Sequence, residues 1–178
     1  MGNNLLSAPT GKNDWNTPEK YLHMARDVMG SIDCDPASSD FAQEMVKAKQ
    51  YFTLEDNGLE QDWIGNVRLN PPYSYPAIEH FSRKLINEIR NRNTEQAIVL
   101  TNAASDTQWF KFLFTCCNCV CFKTGRIAFL DSTGKAAGRG AHGSVFFYIG
   151  RYIHNCVNAE RFRKVFSSEG IIIDRTNL

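Results

Sequence analysis

The sequence predicts an α/β domain of three layers: a mostly parallel sheet covered by helices on both faces, with an antiparallel strand near the C-terminal end. Three observations predict it. Stretches of helical periodicity alternate with short apolar runs through the first two thirds of the chain. The last third is rich in strand patterns and closes with neighbouring strands. Polar residues, among them Asp35, Asp56 and Asn70, fall where predicted strands end, the usual ligand edge of such a sheet. A length of 178 residues with 43% hydrophobic and 22% charged residues suits one globular domain with a core of its own.

The elements follow in order. Residues 1–13, rich in Asn, Ser and Gly, read as a flexible arm before a single domain over 14–178. Thr17 and Pro18 have the types of a helix N-cap and first helical residue. Tyr21, Leu22, Ala25, Val28 and Met29 then keep helical spacing up to Gly30. A strand over Ser31–Cys34 runs into the turn Asp35-Pro36, and a helix is expected over Phe41–Gln50. Tyr51-Phe52 reads as a brief strand before the turn Glu55-Asp56-Asn57-Gly58. A strand over Asn66–Leu69 ends at Asn70, and Pro76–Arg90 is an amphipathic helix. QAIVLT at 96–101 reads as a buried strand, and Ser105 as the cap of a helix carrying Trp109, Phe110 and Leu113. Strands are expected over Cys119–Phe122, Arg126–Leu130 and Ser144–Ile149, a helix over Ala159–Phe166, and a short segment over Ile171–Ile173. A glycine-rich loop, DSTGKAAGRGAHG, joins two of those strands.

Several function classes recede on composition. No run of about 18 apolar residues is present, and the first residues lack the basic flank and apolar stretch of a signal peptide, so a cytoplasmic location is expected. A net charge of +1 neither demands nor excludes a polyanionic partner and weighs mildly against a purely electrostatic DNA binder, so local clusters of cations matter more than the sum. Four of six cysteines crowd into CCNCVC, without a second paired-cysteine motif or nearby histidine pair. Buried free thiols on a strand are the expectation, and no metal is called for.

The chemistry concentrates at Asn70-Pro71-Pro72-Tyr73. Two prolines stiffen the turn and keep it from continuing as helix. They fix the direction of the Asn70 amide and the Pro71 carbonyl, two oxygens able to accept both hydrogens of an exocyclic amine. Tyr73 offers a flat face for a base, a contact worth roughly 1–3 kcal/mol.

These four residues resemble motif IV of amino-group methyltransferases. The resemblance widens to the phage N-6-adenine DNA methyltransferase family through ordered blocks: Asp14 to Pro18; Asp33-Cys34-Asp35-Pro36-Ala37-Ser38; Tyr51-Phe52-Thr53 with Glu55 to Leu59 and Trp63; Gly125 to Phe129; and Gly143 to Phe147. It implies a Rossmann-like methyltransferase fold, S-adenosylmethionine as cofactor, and transfer of a methyl group to the exocyclic amine of adenine in double-stranded DNA. It also implies cofactor contacts at Thr17 and Pro18, at Asp33, Asp35 and Pro36, and at Asp56, which matches the acceptor for the cofactor's adenine amine. Either acid of Asp33-Cys34-Asp35 fits the acidic position, with Asp35 preferred. The chain departs from other methyltransferases in lacking a glycine-rich loop at the first strand.

An adenine within a duplex must be flipped to reach such a site. Lys135, Arg139 and His142 of the glycine-rich loop are the preferred DNA contacts, ahead of Arg83, Lys84, Arg90 and Arg92 on a predicted surface helix and its end. With little length left for a recognition domain, either the loop between the last strands reads the DNA sequence or the second subunit of a homodimer helps. The same motif also serves enzymes acting on protein glutamine or RNA guanine amines, and a catalytically inactive nucleic-acid-binding relative is the non-enzyme alternative.

Overall fold

The computed structural model describes residues 16–131, 133–136, 142–151 and 157–176. The elements in chain order are α1 (Glu19–Met29), β1 (Cys34–Asp35), α2 (Asp40–Val46), β2 (Gln50–Tyr51), a single 3-10 turn (Gly58–Glu60), β3 (Gly65–Leu69), α3 (Ala77–Arg90), β4 (Thr94–Asn102), α4 (Gln108–Cys116), β5 (Cys119–Lys123), β6 (Ser144–Gly150), α5 (Val157–Phe166) and β7 (Gly170–Asp174). The arm proposed for residues 1–13 lies outside the described residues.

The strands form one seven-stranded sheet in the order β2-β1-β3-β4-β6-β5-β7. Its first half is parallel, and the pairs β4–β6, β6–β5 and β5–β7 are antiparallel. Both β6 and β7 therefore run against the rest, where the sequence suggested a single reversed strand. The short segment expected over Ile171–Ile173 is part of β7, an edge strand on which Ile171 and Ile173 are exposed.

Side chains alternate across the sheet and feed two apolar clusters. Ile98, Leu100, Phe146 and Tyr148 pack with Leu22, Val28, Val46 and Phe162, from α1, α2 and α5. Ala97, Val99, Val145 and Phe147 pack with Ile78, Leu85, Phe110 and Leu113, from α3 and α4. Of the cysteines, Cys119 and Cys121 on β5 follow this alternation into the first cluster, while Cys117, before the strand, departs from it and belongs to the second.

Four local expectations need correction. Pro18, not Thr17, is the N-cap of α1, because the Thr17 hydroxyl is engaged by Arg68. The helix expected over Phe41–Gln50 is α2, which starts at Asp40 behind the Ser39 cap and ends at Lys47 in a left-handed conformation. Thr107, not Ser105, caps α4 through a bond from the Phe110 amide to its hydroxyl. Arg126–Leu130 is not a strand: Ile127 and Phe129 are buried against the α1 face, and of this stretch only Leu130 is paired, bridging to Asn16 and Ala136. Alternating apolar residues produced the strand pattern, but here they anchor a coil.

The topology places the site. From β1 the chain crosses through α2 to β2 on one side, then returns past β1 to β3 and through α3 to β4 on the other. The connection reverses direction between β1 and β3, and ligands in sheets of this type bind beyond the carboxyl ends at such a reversal. Asp35 closes β1, and Asn70 follows β3.

Candidate active site

β3 delivers two kinds of residue to this edge. Val67 and Leu69 point into the α3-side cluster, while Arg68 between them points to the α1 side and is buried. Asn70 then leaves the sheet half-buried, held by a turn in which Pro71 is buried and Pro72 exposed. The Tyr73 hydroxyl donates to Asn70 Oδ1 at 2.7 Å, and Leu100 O lies 3.5 Å from the same hydroxyl. One hydroxyl hydrogen serves one acceptor well, and the shorter contact to Asn70 is the bond. Burial pushes the Tyr73 phenol well above its ordinary value, so it remains a donor at neutral pH. This orients the Asn70 amide, with its oxygen toward Tyr73.

Tyr73 is half-buried against the α3-side cluster, so only part of its ring is open for stacking. Tyr75, two residues on, is 78% exposed and presents the larger open aromatic face.

Behind Asn70 lies a buried polar network that sequence reading did not find. Arg68 Nη1 is 3.1 Å from Asp35 Oδ2, and Nη2 donates to the Thr17 hydroxyl. Gln43 Nε2 donates to Asp35 Oδ2 at 3.1 Å and to the Ser38 hydroxyl at 2.7 Å. Asp35 has no exposed surface, and burial pushes its carboxyl up against the opposing pull of Arg68. Thr17 and Asp35 thus converge on Arg68, two residues before Asn70, although they are far apart in sequence. Arg68 reads from sequence as one polar residue in a strand. Its role becomes visible only when β1 and β3 are paired.

The structure does not bring Asp33 to this edge. It precedes β1 at the amino end, where it accepts from the Asn66 amide at 2.9 Å, from Ser31 at 3.0 Å and from Lys49 at 2.7 Å. Burial raises its carboxyl, but these partners outweigh burial and hold it below the ordinary value. Gly65 stands so close that a Cβ there would meet Asp33 Oδ2 at 2.6 Å, and its φ of +83° independently favours glycine.

Pro36 and the turn after β2 form one packed unit. A Cβ on Gly58 would lie 2.0 Å from the Pro36 carbonyl oxygen, so this close approach requires glycine. Asp56 in that turn is exposed, and its carboxylate accepts from the Thr53 amide and hydroxyl, both at 2.8 Å. Those bonds hold it below the ordinary carboxylate range. Asn57, next in the chain and left-handed at φ +50°, has a buried Oδ1 with no donor among the described residues. The same is true of Asn102 Oδ1 at the carboxyl end of β4. Buried acceptors are normally paired, and an orphan marks a place where a ligand or water belongs.

Lys135 and His142 are exposed, and Arg139 lies outside the described residues. The stretch between β5 and β6 is pinned beside the network, because Asn16 and Leu130 exchange backbone bonds of 2.8 and 2.9 Å. Arg83 and Lys84 instead line a shallow groove on α3 with Leu59, His80, Asn87 and Glu88, and both are paired, with Glu79 and Glu88. Arg90 and Arg92 lie at the far end of α3, toward the amino edge. Burial disfavours the reactive thiolate at three cysteines, pushing Cys117 and Cys119 up to about 12 and Cys121 up to about 11. Among the described residues no group of His, Cys, Asp and Glu could hold a metal. None of the described helices is long and apolar enough to cross a membrane.

A stiff Asn-Pro-Pro-Tyr turn at the reversal point of a mixed sheet, with orphan acceptors on either side, invites comparison with known families. The sequence model of the DNA N-6-adenine-methyltransferase (Dam) family matches residues 7–167, nearly the whole chain. The chain belongs to that family. No curated protein and no solved structure matches it. Membership of the Dam family carries DNA adenine methylation as the general activity. It also places the matched region around every residue of the carboxyl edge described above.

Proposed function

We propose that the chain transfers a methyl group from S-adenosylmethionine to the exocyclic amine of an adenine flipped out of duplex DNA, with Asn70 to Tyr73 as the acceptor site. The observation that carries this reading is the position of the Asn70 amide: at the reversal point, its oxygen fixed by the Tyr73 hydroxyl, on a turn too stiff to drift. The sheet with helices on both faces is then the three-layer Rossmann-like arrangement of such enzymes.

The residues suit the cofactor. Its amine, hydroxyl and ammonium donors have the chemistry to satisfy the orphan oxygens of Asn57 and Asn102. Asn57 is the better candidate than Asp56 for the adenine amine, since the carboxylate of Asp56 is committed to its own turn. Thr17, Asp35 and Pro36 frame the edge where the donor would lie. S-adenosylmethionine, when bound, supplies a methyl group on a sulfonium.

An amide oxygen carries two lone pairs, so Asn70 Oδ1 has the chemistry to accept from a substrate amine as well as from the Tyr73 hydroxyl. Accepting the amine hydrogens at Asn70 and at the Pro71 carbonyl localises the nitrogen lone pair and aims it along the line of attack. With the cofactor held at this edge, the nitrogen–carbon bond would form as the sulfur–carbon bond broke, the electron pair staying on sulfur, while Asn70 and Pro71 keep the amine in line. The cationic amine then loses a proton to water. Catalysis of this kind rests on positioning, which can lower a barrier by roughly 7–11 kcal/mol.

Adenine methylation in duplex DNA, followed with labelled cofactor beside RNA and protein acceptors, tests the proposal. Label appearing in guanine of RNA or in protein, and not in adenine of DNA, would favour the other amine acceptors of this motif. Absence of cofactor binding by titration calorimetry would favour an inactive binding protein.

A further inference from the structure

We propose that Arg126 contacts a backbone phosphate of the DNA at the mouth of the adenine site; this rests on the reading of the chain as a DNA adenine methyltransferase. Arg126 lies near the start of the coil between β5 and β6. In that coil Ile127 and Phe129 are 2% and 6% exposed, buried in the α1-side cluster, while Arg126 and Ala128 are exposed. The two apolar anchors fix which way Arg126 faces: outward.

Gly143 fixes where it goes. A Cβ at that position would stand 3.3 Å from Arg126 Nη1 and 3.3 Å from the Ala103 Cβ, closer than side chains ordinarily pack. The missing side chain lets the guanidinium lie across the main chain there. The Ala103 amide donates to the Gly143 carbonyl at 2.8 Å, which ties the same spot to the end of β4. Leu69 is level with Val99 in the β3–β4 pairing, so Asn70 is level with Leu100. Ala103 stands three residues further, roughly 10 Å beyond Asn70 along the strand direction. Arg126 is therefore on the rim above the catalytic turn. A flipped nucleotide sends its base into the pocket and leaves its sugar and phosphates at the mouth.

The charge is available. Arg126 has no ion pair among the described residues, whereas Arg83, Lys84 and Arg151 are matched with Glu79, Glu88 and Glu95. Between β5 and β6 the sequence holds three Lys and Arg residues against a single acid, Asp131. That carboxylate is turned into its own loop, accepting from the Thr133 amide and hydroxyl and from the Lys135 amide. A guanidinium suits a phosphate better than an ammonium does, because its fork can meet two oxygens at once.

The test is the salt dependence of binding to a short fluorescently labelled DNA duplex of mixed sequence, using the full chain with cofactor present. Each phosphate contact contributes about 0.9 to the slope of log affinity against log salt. Arg126→Ala is expected to lower the slope by about 0.9 and to weaken binding about eightfold at ~0.1 M salt. Arg126→Lys should keep the slope, and Arg90→Ala, at the opposite edge of the sheet, should leave both quantities unchanged. Cofactor affinity, measured by calorimetry, should be the same in all variants. An unaltered slope in Arg126→Ala, or an equal loss in Arg90→Ala, overturns the assignment. Failure of the wild-type chain to bind the duplex, or to methylate its adenines, would instead remove the underlying reading, and needs no variant to be seen.

Discussion

The two halves of the sheet are built on different terms. The parallel half, β2-β1-β3-β4, has strands as short as two residues and buries charge: Asp35 and Arg68 meet where neither is open to water. In the antiparallel half, all seven residues of β6 are buried, and the thiols of β5 beside it are pushed far up by burial. Burying apolar area stabilises without directional demands, at about 25 cal/mol per Å². Burying an ion pair seldom adds net stability, yet losing one partner is costly. The difference teaches that the antiparallel half holds the fold while the parallel half spends stability on arranging polar groups, which is how a site is recognised.

The contrast can be broken most sharply at Arg68. Arg68→Met leaves the Asp35 carboxyl buried without its counter-charge, and should cost about 3–5 kcal/mol in denaturant unfolding. Pairing it with Asp35→Leu should recover much of that stability while cofactor binding stays lost; recovery of both would make the pair a structural feature only. At Asn70 the expected effect is on rate alone. Asn70→Ala should reduce methylation by on the order of 10²–10³, in line with removal of one positioned hydrogen-bonding group, with the melting temperature unchanged. Full activity in that variant would dismiss the turn as the acceptor site.

Smaller effects sharpen the comparison. Tyr73→Phe removes the bond that fixes the Asn70 amide and should cost about 1 kcal/mol, roughly a fivefold loss of kcat. Base stacking is read separately with 2-aminopurine at the target position, where Tyr75→Ala should leave the flipped base brighter. An unchanged signal would return the stacking role to Tyr73. On the apolar side, Glu169 gives the mildest test. Burial pushes its carboxyl up, but Lys20 at 2.5 Å and Lys123 at 3.7 Å outweigh that and hold it below the ordinary value. A depressed folded pKa stabilises above the unfolded value of about 4.3 and is lost as pH falls through the folded one. Thermal melts should show acid destabilisation that is shallower in Glu169→Gln, and parallel curves would refute the pairing as a source of stability.

Much of this architecture was legible in the sequence because local rules govern it. Helical spacing from Tyr21 to Met29 and from Ile78 to Ile89 located α1 and α3, and the stiff turn at Asn70 stood out without any knowledge of its neighbours. What escaped depends on pairing at a distance. Thr17 has the chemistry of a cap, but a guanidinium from position 68 claims its hydroxyl. Asp33 and Asp35 are indistinguishable as letters, yet one secures the amino end of β3 while the other sits at the carboxyl edge. Ile127 and Phe129 alternate like a strand because a coil anchored in a core alternates as well. Nor could the composition of the turn tell that the Asp56 carboxylate is engaged by Thr53.

The exchange of bonds between Asn16 and Leu130 joins positions 114 residues apart and clasps two neighbourhoods. One leads directly to Thr17 and the edge proposed for the methyl donor, the other to the coil that carries Arg126. A ligand that orders either side lowers the cost of ordering the other, and thermodynamic linkage makes the benefit equal in both directions. Under the proposed reaction, nucleic acid should therefore tighten the hold on the methyl donor by the same factor as the donor tightens the hold on nucleic acid.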